Sequence, residues 1–209
     1  MPTNPNQMHE LLYQALETEQ GGIKVYEAAI ASAVNDDLRN EWTEYLEQTR
    51  QHERTLRETL QAVGLDAATE TPGRRVVRHI GESLVKAITM ARESGGPPEA
   101  AELVAAECVV HAETKDHMNW ELIGRLAQAL SGKEAEALQK AYDRVEDQED
   151  AHLYHSKGWG RELWIQALGL PAVLPPPEEV QKVETAIGAA KAEASREVLL
   201  GNTPQTRRR

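Results

Sequence analysis

The stretch Val145–His155, VEDQEDAHLYH, decides how this chain is read. As a charge run it is a solvated helix face, the usual place for such runs. On a helix whose inner stripe runs Leu138, Tyr142, Val145, Glu149, His152, Ser156 and Trp159, it instead carries an acid and an imidazole into the protein interior. Glu149 and His152 lie three residues apart, so they share a helix face under either reading. The rest of the sequence has to choose between the two.

Ala, Glu, Leu, Gln and Arg dominate the chain, and no β-branched alternation interrupts them, so helices are predicted nearly throughout. Long helices are expected over 7–34, 37–63, 98–130 and 133–168, with a shorter one over 73–94. Asn35–Asp37 break the first helix and cap the second. Gly95–Pro98 stop the short one, Ser131 is expected to cap the last long helix, and Lys157–Gly160 to kink it. GLPAVLPPP over 169–177 is a rigid, extended break, followed by an amphipathic segment over 178–200. Two long helices, an intervening helix and two more long helices make a coarse duplication. Four long helices with short loops and one crossover predict an all-α fold, a four-helix bundle. The expected division is a helical bundle over 1–170 and an extension over 171–209, ending in a basic tail, Thr206–Arg209, read as frayed.

Bundle cores repeat every seven residues. The first helix gives Leu12, Leu16, Glu19, Ile23, Tyr26 and Ile30. The second gives Trp42, Leu46, Thr49, Glu53, Leu56 and Leu60, with His52 beside the stripe. The helix from Pro98 gives Leu103, Ala106, Val110, Glu113, His117, Trp120 and Ala127. With Glu149 on the last, each stripe is interrupted near its middle by a carboxylate. A lone buried carboxylate costs several kcal/mol, on the order of 3–5 when its partner is missing, and four at one level repel one another. Bound divalent cations remove that difficulty, because each acid becomes an oxygen ligand; imidazole among them favours iron, manganese or zinc over magnesium or calcium.

Composition narrows the classes. Hydrophobic residues are 40% and charged residues 27%, ordinary for a globular protein. The net charge of -11 argues against a nucleic-acid partner, which needs clustered Lys and Arg. No apolar run approaches the ~20 residues of a membrane span. The N-terminal MPTNPNQMHELL has no basic region followed by an apolar one, so no signal peptide is expected, and the single Cys108 suits a reducing cytoplasm.

At the interrupted stripes the chain resembles the ferritin-like superfamily, rubrerythrins and bacterial ferritins in particular, over about residues 7–168. Glu149-Asp150-Ala151-His152 is similar to the family's Glu-x-x-His on its last bundle helix. Glu19 with Tyr26, and Glu113 with Trp120, resemble its first- and third-helix glutamates with an aromatic seven residues on. The resemblance implies an iron or manganese centre of one or two ions, with Glu19, Glu113 and Glu149 as carboxylate ligands and His152 as a nitrogen ligand. It further implies oxidation of iron or reduction of oxygen or peroxide, and a homo-oligomer. The CxxC rubredoxin module of full rubrerythrins is missing, so an electron donor is a separate molecule. The second helix departs from the pattern: it reads Thr49-Arg50-Gln51-His52, with no carboxylate at the expected place. Glu53, seven residues from both Leu46 and Leu60, is expected to turn inward in its stead, with His52 at the bundle edge; His117 is a further candidate ligand, though a core or edge histidine more often serves no metal. The Thr49 departure favours a rival reading, a metal-free helical scaffold acting through oligomerisation or partner binding. His111 and His155 read as surface residues, Trp159 and Trp164 as contacts of the extension or of an oligomer, and Gly21–Gly22 as a close helix approach beside Glu19.

Overall fold

A computed structural model describes residues 4–201, and helices are the only regular secondary structure among them. In chain order they are α1 (Pro5–Ile30), α2 (Asp36–Ala62), α3 (Pro72–Glu93), α4 (Pro98–Ala129), α5 (Lys133–Ala167), α6 (Pro177–Val180) and α7 (Ala186–Leu199). None of them is long and apolar enough to cross a membrane. The predicted boundaries hold to within a few residues because they rest on side-chain chemistry. Asn4, Asn35, Thr71 and Thr185 each accept a backbone N–H of the first turn they precede. Proline opens α1, α3 and α4, where its missing N–H costs nothing. The cap of α5 differs from expectation: Gly132, at φ 76°, occupies the cap position, and no side chain caps it. The segment expected over 178–200 is broken into α6 and α7 by a turn at Gln181–Thr185. The basic tail Thr206–Arg209 lies outside the described residues.

α1, α2, α4 and α5 surround a common interior: α1 packs on α2 and α4, and α5 packs on α4 and, more loosely, on α2. α3 crosses the outside of α1 and α4. The α1–α3 crossing is tight because two glycines face each other; a Cβ on Gly81 would stand 3.4 Å from the Cα of Gly21. A Cβ on Gly22 would stand 3.4 Å from Thr49 of α2, so this pair of glycines serves two helix approaches at the level of Glu19.

α5 stays helical through Lys157–Gly160, so the glycines there do not end the helix. The glycine there answers a packing need instead. A Cβ on Gly158 would come within 2.7 Å of the Glu178 carboxylate and 3.0 Å of Pro176. The chain beyond Leu170 folds back onto α5 at this point. Fully buried Glu162 accepts the backbone N–H of Val173 at 2.8 Å and the Arg196 guanidinium at 2.9 Å, while Arg161 reaches Glu178 at 2.6 Å.

The apolar core lies in two clusters. One gathers Tyr26, Trp42, Val109 and Trp159 near one end; the other gathers Leu12, Leu56, Trp120 and Val145 near the other end. Between them lies a polar layer. Gly124 of α4 fits against the ring of Tyr142, where an added Cβ would sit 2.6 Å from the ring. Gly124→Ala is therefore expected to cost about 1–3 kcal/mol through overpacking despite the gain in helix propensity. Thermal unfolding of the variant checks this; a rise in Tm would mean the ring moves aside freely.

Candidate metal centre

Four helices contribute to the polar layer, and the residues meet because each sits near the middle of its helix on the inward stripe. α1 supplies Glu19, α2 His52, α4 Glu113 and Asp116, and α5 Glu149 and His152; none is more than 4% exposed. His52 Nδ1 lies 2.8 Å from a Glu149 oxygen and 3.9 Å from Glu19. His152 Nδ1 lies 3.5 Å from Glu113 and 3.6 Å from Glu149. Two overlapping sets of ligand atoms are close enough to share an ion: His52, Glu149 and His152, and Glu19, Asp116 and Glu149. Glu149 belongs to both.

The imidazoles are oriented by a reciprocal pair of glutamines. His52 Nε2 is 2.7 Å from Oε1 of Gln148 on α5, and His152 Nε2 is 2.7 Å from Oε1 of Gln48 on α2. An amide oxygen can only accept, so each Nε2 carries the proton and each Nδ1 turns a bare lone pair inward. Burial holds His52 down to about 4, so it stays neutral near pH 7. A neutral Nδ1 lone pair then faces carboxylate oxygens at hydrogen-bond distance, and both Nδ1 atoms lack a hydrogen-bond partner, as do Oε2 of Glu19, Oε2 of Glu113, Oδ1 of Asp116 and both oxygens of Glu149. Acceptors facing acceptors in a buried layer need a proton or a cation between them.

The acids carry the same message. Burial, then the negative charges of Asp116 and Glu149, push the Glu19 carboxyl well above its ordinary range. Burial, Glu149 and Glu113 do the same to Asp116, and burial followed by Glu113 raises Glu149 to about 8. Without cations the layer therefore holds protons; two divalent ions would balance four ionised carboxylates while leaving both histidines neutral. The donor set of carboxylate oxygens and imidazole nitrogens fits such ions.

The aromatic residues expected seven positions on do border the layer, each against the acid of the other helix. Trp120 of α4 donates its indole N–H to Glu19 of α1 at 2.8 Å. Tyr26 of α1 has its phenol pushed far above the ordinary range by burial and by the facing Glu113 of α4. Tyr45 lies with its ring centroid 4.0 Å from that of His152. Comparison with protein-family models, curated proteins and solved structures finds no match to this chain. The chemistry of the layer therefore rests on its own geometry.

Of the residues singled out in the sequence, Glu19, Glu113, Glu149, His152 and His52 come together, and Glu53 and His117 do not. His52 and Glu53 exchange the places expected of them. His52 is fully buried in the layer, while Glu53 turns to the α1–α2 flank and accepts from Gln20 at 3.1 Å and from Arg57. His117 stands at the edge, 3.1 Å from Asp150. His155, expected at the surface, is buried against Tyr45, whereas His111 is exposed as expected. Trp159 packs in the core; Trp164 is exposed and donates to Glu107. Sequence reasoning missed Asp116, Gln48 and Gln148. A signal for the glutamines was present, since Gln-x-x-x-His occurs at 48–52 and again at 148–152, with Thr49 in the first copy where the second has Glu149.

Proposed function

We propose that this protein is a ferritin-like metalloprotein that holds a pair of iron or manganese ions between its four long helices. The observation that carries the reading is the inward pair of unpartnered Nδ1 atoms facing unpartnered carboxylate oxygens from all sides of the interior. His52, Glu149 and His152, with Glu113 beside them, would hold one ion; Glu19, Asp116 and Glu149 would hold the other. Asp116 supports the reading where Thr49 weakened it. It brings a fourth carboxylate from α4, one turn beyond Glu113, in place of the one that α2 lacks.

Such a centre supplies electron transfer to oxygen or peroxide, or from ferrous iron. The chain's own residues hold and shape it. Gln48 and Gln148 fix the tautomer and orientation of the imidazoles, as partners behind metal-binding histidines do. Trp120 fixes Glu19, and Tyr26, Tyr45 and Trp120 wall the layer from water. A separate electron donor and assembly into a homo-oligomer belong to the same proposal. The metal-free scaffold reading rests on Thr49 alone.

Elemental analysis after loading with Mn2+ tests this. About two ions per chain are expected. Asp116→Asn should bring the content to about one, His52→Ala should lower it, and Glu53→Ala and His117→Ala should leave it unchanged. Equal metal content in wild type and Glu149→Ala would overturn the reading.

A further inference from the structure

Two cavities approach the polar layer from outside. The larger, about 590 Å³ between α2, α5 and the turn after α6, reaches Gln48 and Gln148, and no residue of the layer lines it. The smaller, about 240 Å³, opens between α4 and α5 beside the start of α7, and Glu149 and Trp120 line it. Each of these two is 1% exposed, so they form its inner end. Both oxygens of Glu149 lack a hydrogen-bond partner, and Glu149 belongs to both groups whose ligand atoms lie close enough to share an ion. Trp120 holds Glu19 of the second group. The smaller cavity therefore reaches the layer at the residue that its two halves have in common.

Its wall follows from the charge run on α5. Glu146, Glu149 and Asp150 stand at i, i+3 and i+4, so they share one helix face, and all three line the cavity. Glu149 goes to the interior, while Glu146 and Asp150 stay half-buried on the way to it. No lysine or arginine is among the lining residues. The imidazole there, His117, lies 3.1 Å from Asp150, and its ring meets that of Tyr154 edge-on, centroids 6.0 Å apart. Tyr142 donates its hydroxyl to Glu146 and so fixes that carboxylate in the wall. Glu121 is exposed and paired with Arg125, so it adds little. An acidic wall alone would be a solvated surface; the buried, unpartnered Glu149 at its end is what points to a ligand.

We propose that the cavity between α4 and α5 is the entrance through which divalent cations reach the buried layer, an inference that rests on the metal-centre reading above. Glu146 and Asp150 draw the hydrated ion inward without holding it. Carboxylates in a cleft with low-dielectric walls focus the field there, and such steering raises on-rates by about 10- to 1,000-fold. Glu149 is the first unpartnered carboxylate on the way in, and from it the atoms of both ligand groups are within reach. On the α2–α5 side the amides of Gln48 and Gln148 stand in the way, each engaged with an imidazole.

The experiment mixes the metal-free full chain with Mn2+ and follows uptake in freeze-quenched samples by loss of the free ion's electron paramagnetic resonance signal. Glu146→Gln combined with Asp150→Asn should slow uptake about fivefold or more and leave the final content at about two ions per chain. The dependence of the rate on added salt should shrink as well, because the steering charges are gone. Glu44→Gln combined with Asp147→Asn removes the same two charges from the larger cavity and should leave the rate within about twofold of wild type. Ala186→Trp, at an exposed position lining the smaller cavity, should slow uptake with no change of charge. A wild-type rate in both Glu146→Gln/Asp150→Asn and Ala186→Trp would overturn the entrance and leave the centre in place. A lowered final content in Glu146→Gln/Asp150→Asn would make those residues ligands and overturn it too. No tight ion in wild type would overturn the centre and the entrance together.

Discussion

Between about pH 6.5 and 8 the metal-free protein is expected to lose stability, and Mn2+ to reverse the trend. Glu149 has a folded pKa of about 8 against an ordinary 4.5. Over that interval the unfolded chain binds fewer protons than the folded one, so stability falls as pH rises, and the loss is complete above about 8. His52 acts oppositely but lower down. Its folded pKa near 4 against 6.5 makes stability rise with pH between those values, offsetting Glu149 there. From pH 6.5 upward Glu149 acts unopposed, joined by Glu19 and Asp116, both shifted upward. At 1.4 kcal/mol per pH unit, Glu149 alone contributes a loss of roughly 2 kcal/mol over the interval. Metal binding releases those protons, so its affinity grows with pH. At about a thousand times its dissociation constant, Mn2+ adds about 4 kcal/mol, or a Tm gain of roughly 10 °C for a chain of this size. Glu149→Gln should reduce the metal-free slope, leaving the part due to Glu19, Asp116 and Glu179, the last raised to about 8 by burial and the charge of Glu41, and abolish most of the gain. Melting curves at several pH values, with chelator and with Mn2+, decide it. A gain undiminished in the variant would place the metal elsewhere.

The second large effect lies outside the polar layer. Glu17→Ala is expected to cost about 3–5 kcal/mol, because it strands a buried cation. Glu17 of α1 binds Arg74 at 2.7 Å, and both are only 5% exposed. Arg74 also donates to the carbonyls of Ala67 and Thr69, so one guanidinium ties the α2–α3 loop and the start of α3 to α1. Arg78 adds a second contact to Glu17 at 2.7 Å. Burial alone would raise Glu17, but Arg78 and Arg74 outweigh it and hold the carboxyl below its usual range. The pair Glu17→Ala with Arg74→Met should recover part of the loss, since no uncompensated charge then remains. Metal content should stay unchanged, as Glu17 faces α3. Denaturant unfolding measures the cost, and a double variant as unstable as the sum of its singles would show that the charge pairing is not the cause.

Helix boundaries were legible in the sequence because local chemistry sets them. Asn35, Thr71 and the prolines at 5, 72 and 98 act within one turn of themselves, and no distant residue has to cooperate. The polar intrusions at Glu19, Glu113, Glu149 and His152 were legible for a similar reason: each interrupts an apolar stripe that is otherwise regular.

The misplaced side chains in α2 and α4 share one cause. From a core position, a step of three residues lands about 60° to one side of the stripe and a step of four about 40° to the other. Both steps keep a residue near the interior, so periodicity cannot rank them. From Thr49 the sequence offers His52 or Glu53, and from Glu113 it offers Asp116 or His117. In both helices the inward residue is the earlier one. Contacts from other elements decide it. Gln148 on α5 receives His52, while Gln20 on α1 and Arg57 hold Glu53 outside. Asp150 on α5 holds His117 at the edge, leaving Asp116 inside. The burial of His155 follows likewise from Tyr45 on α2, with which it shares a hydrogen bond. The sequence by itself determined where the helices begin and end and which stripes carry charge inward. Only the tertiary structure decided which of two neighbouring side chains faces the interior, because that choice depends on partners on other helices.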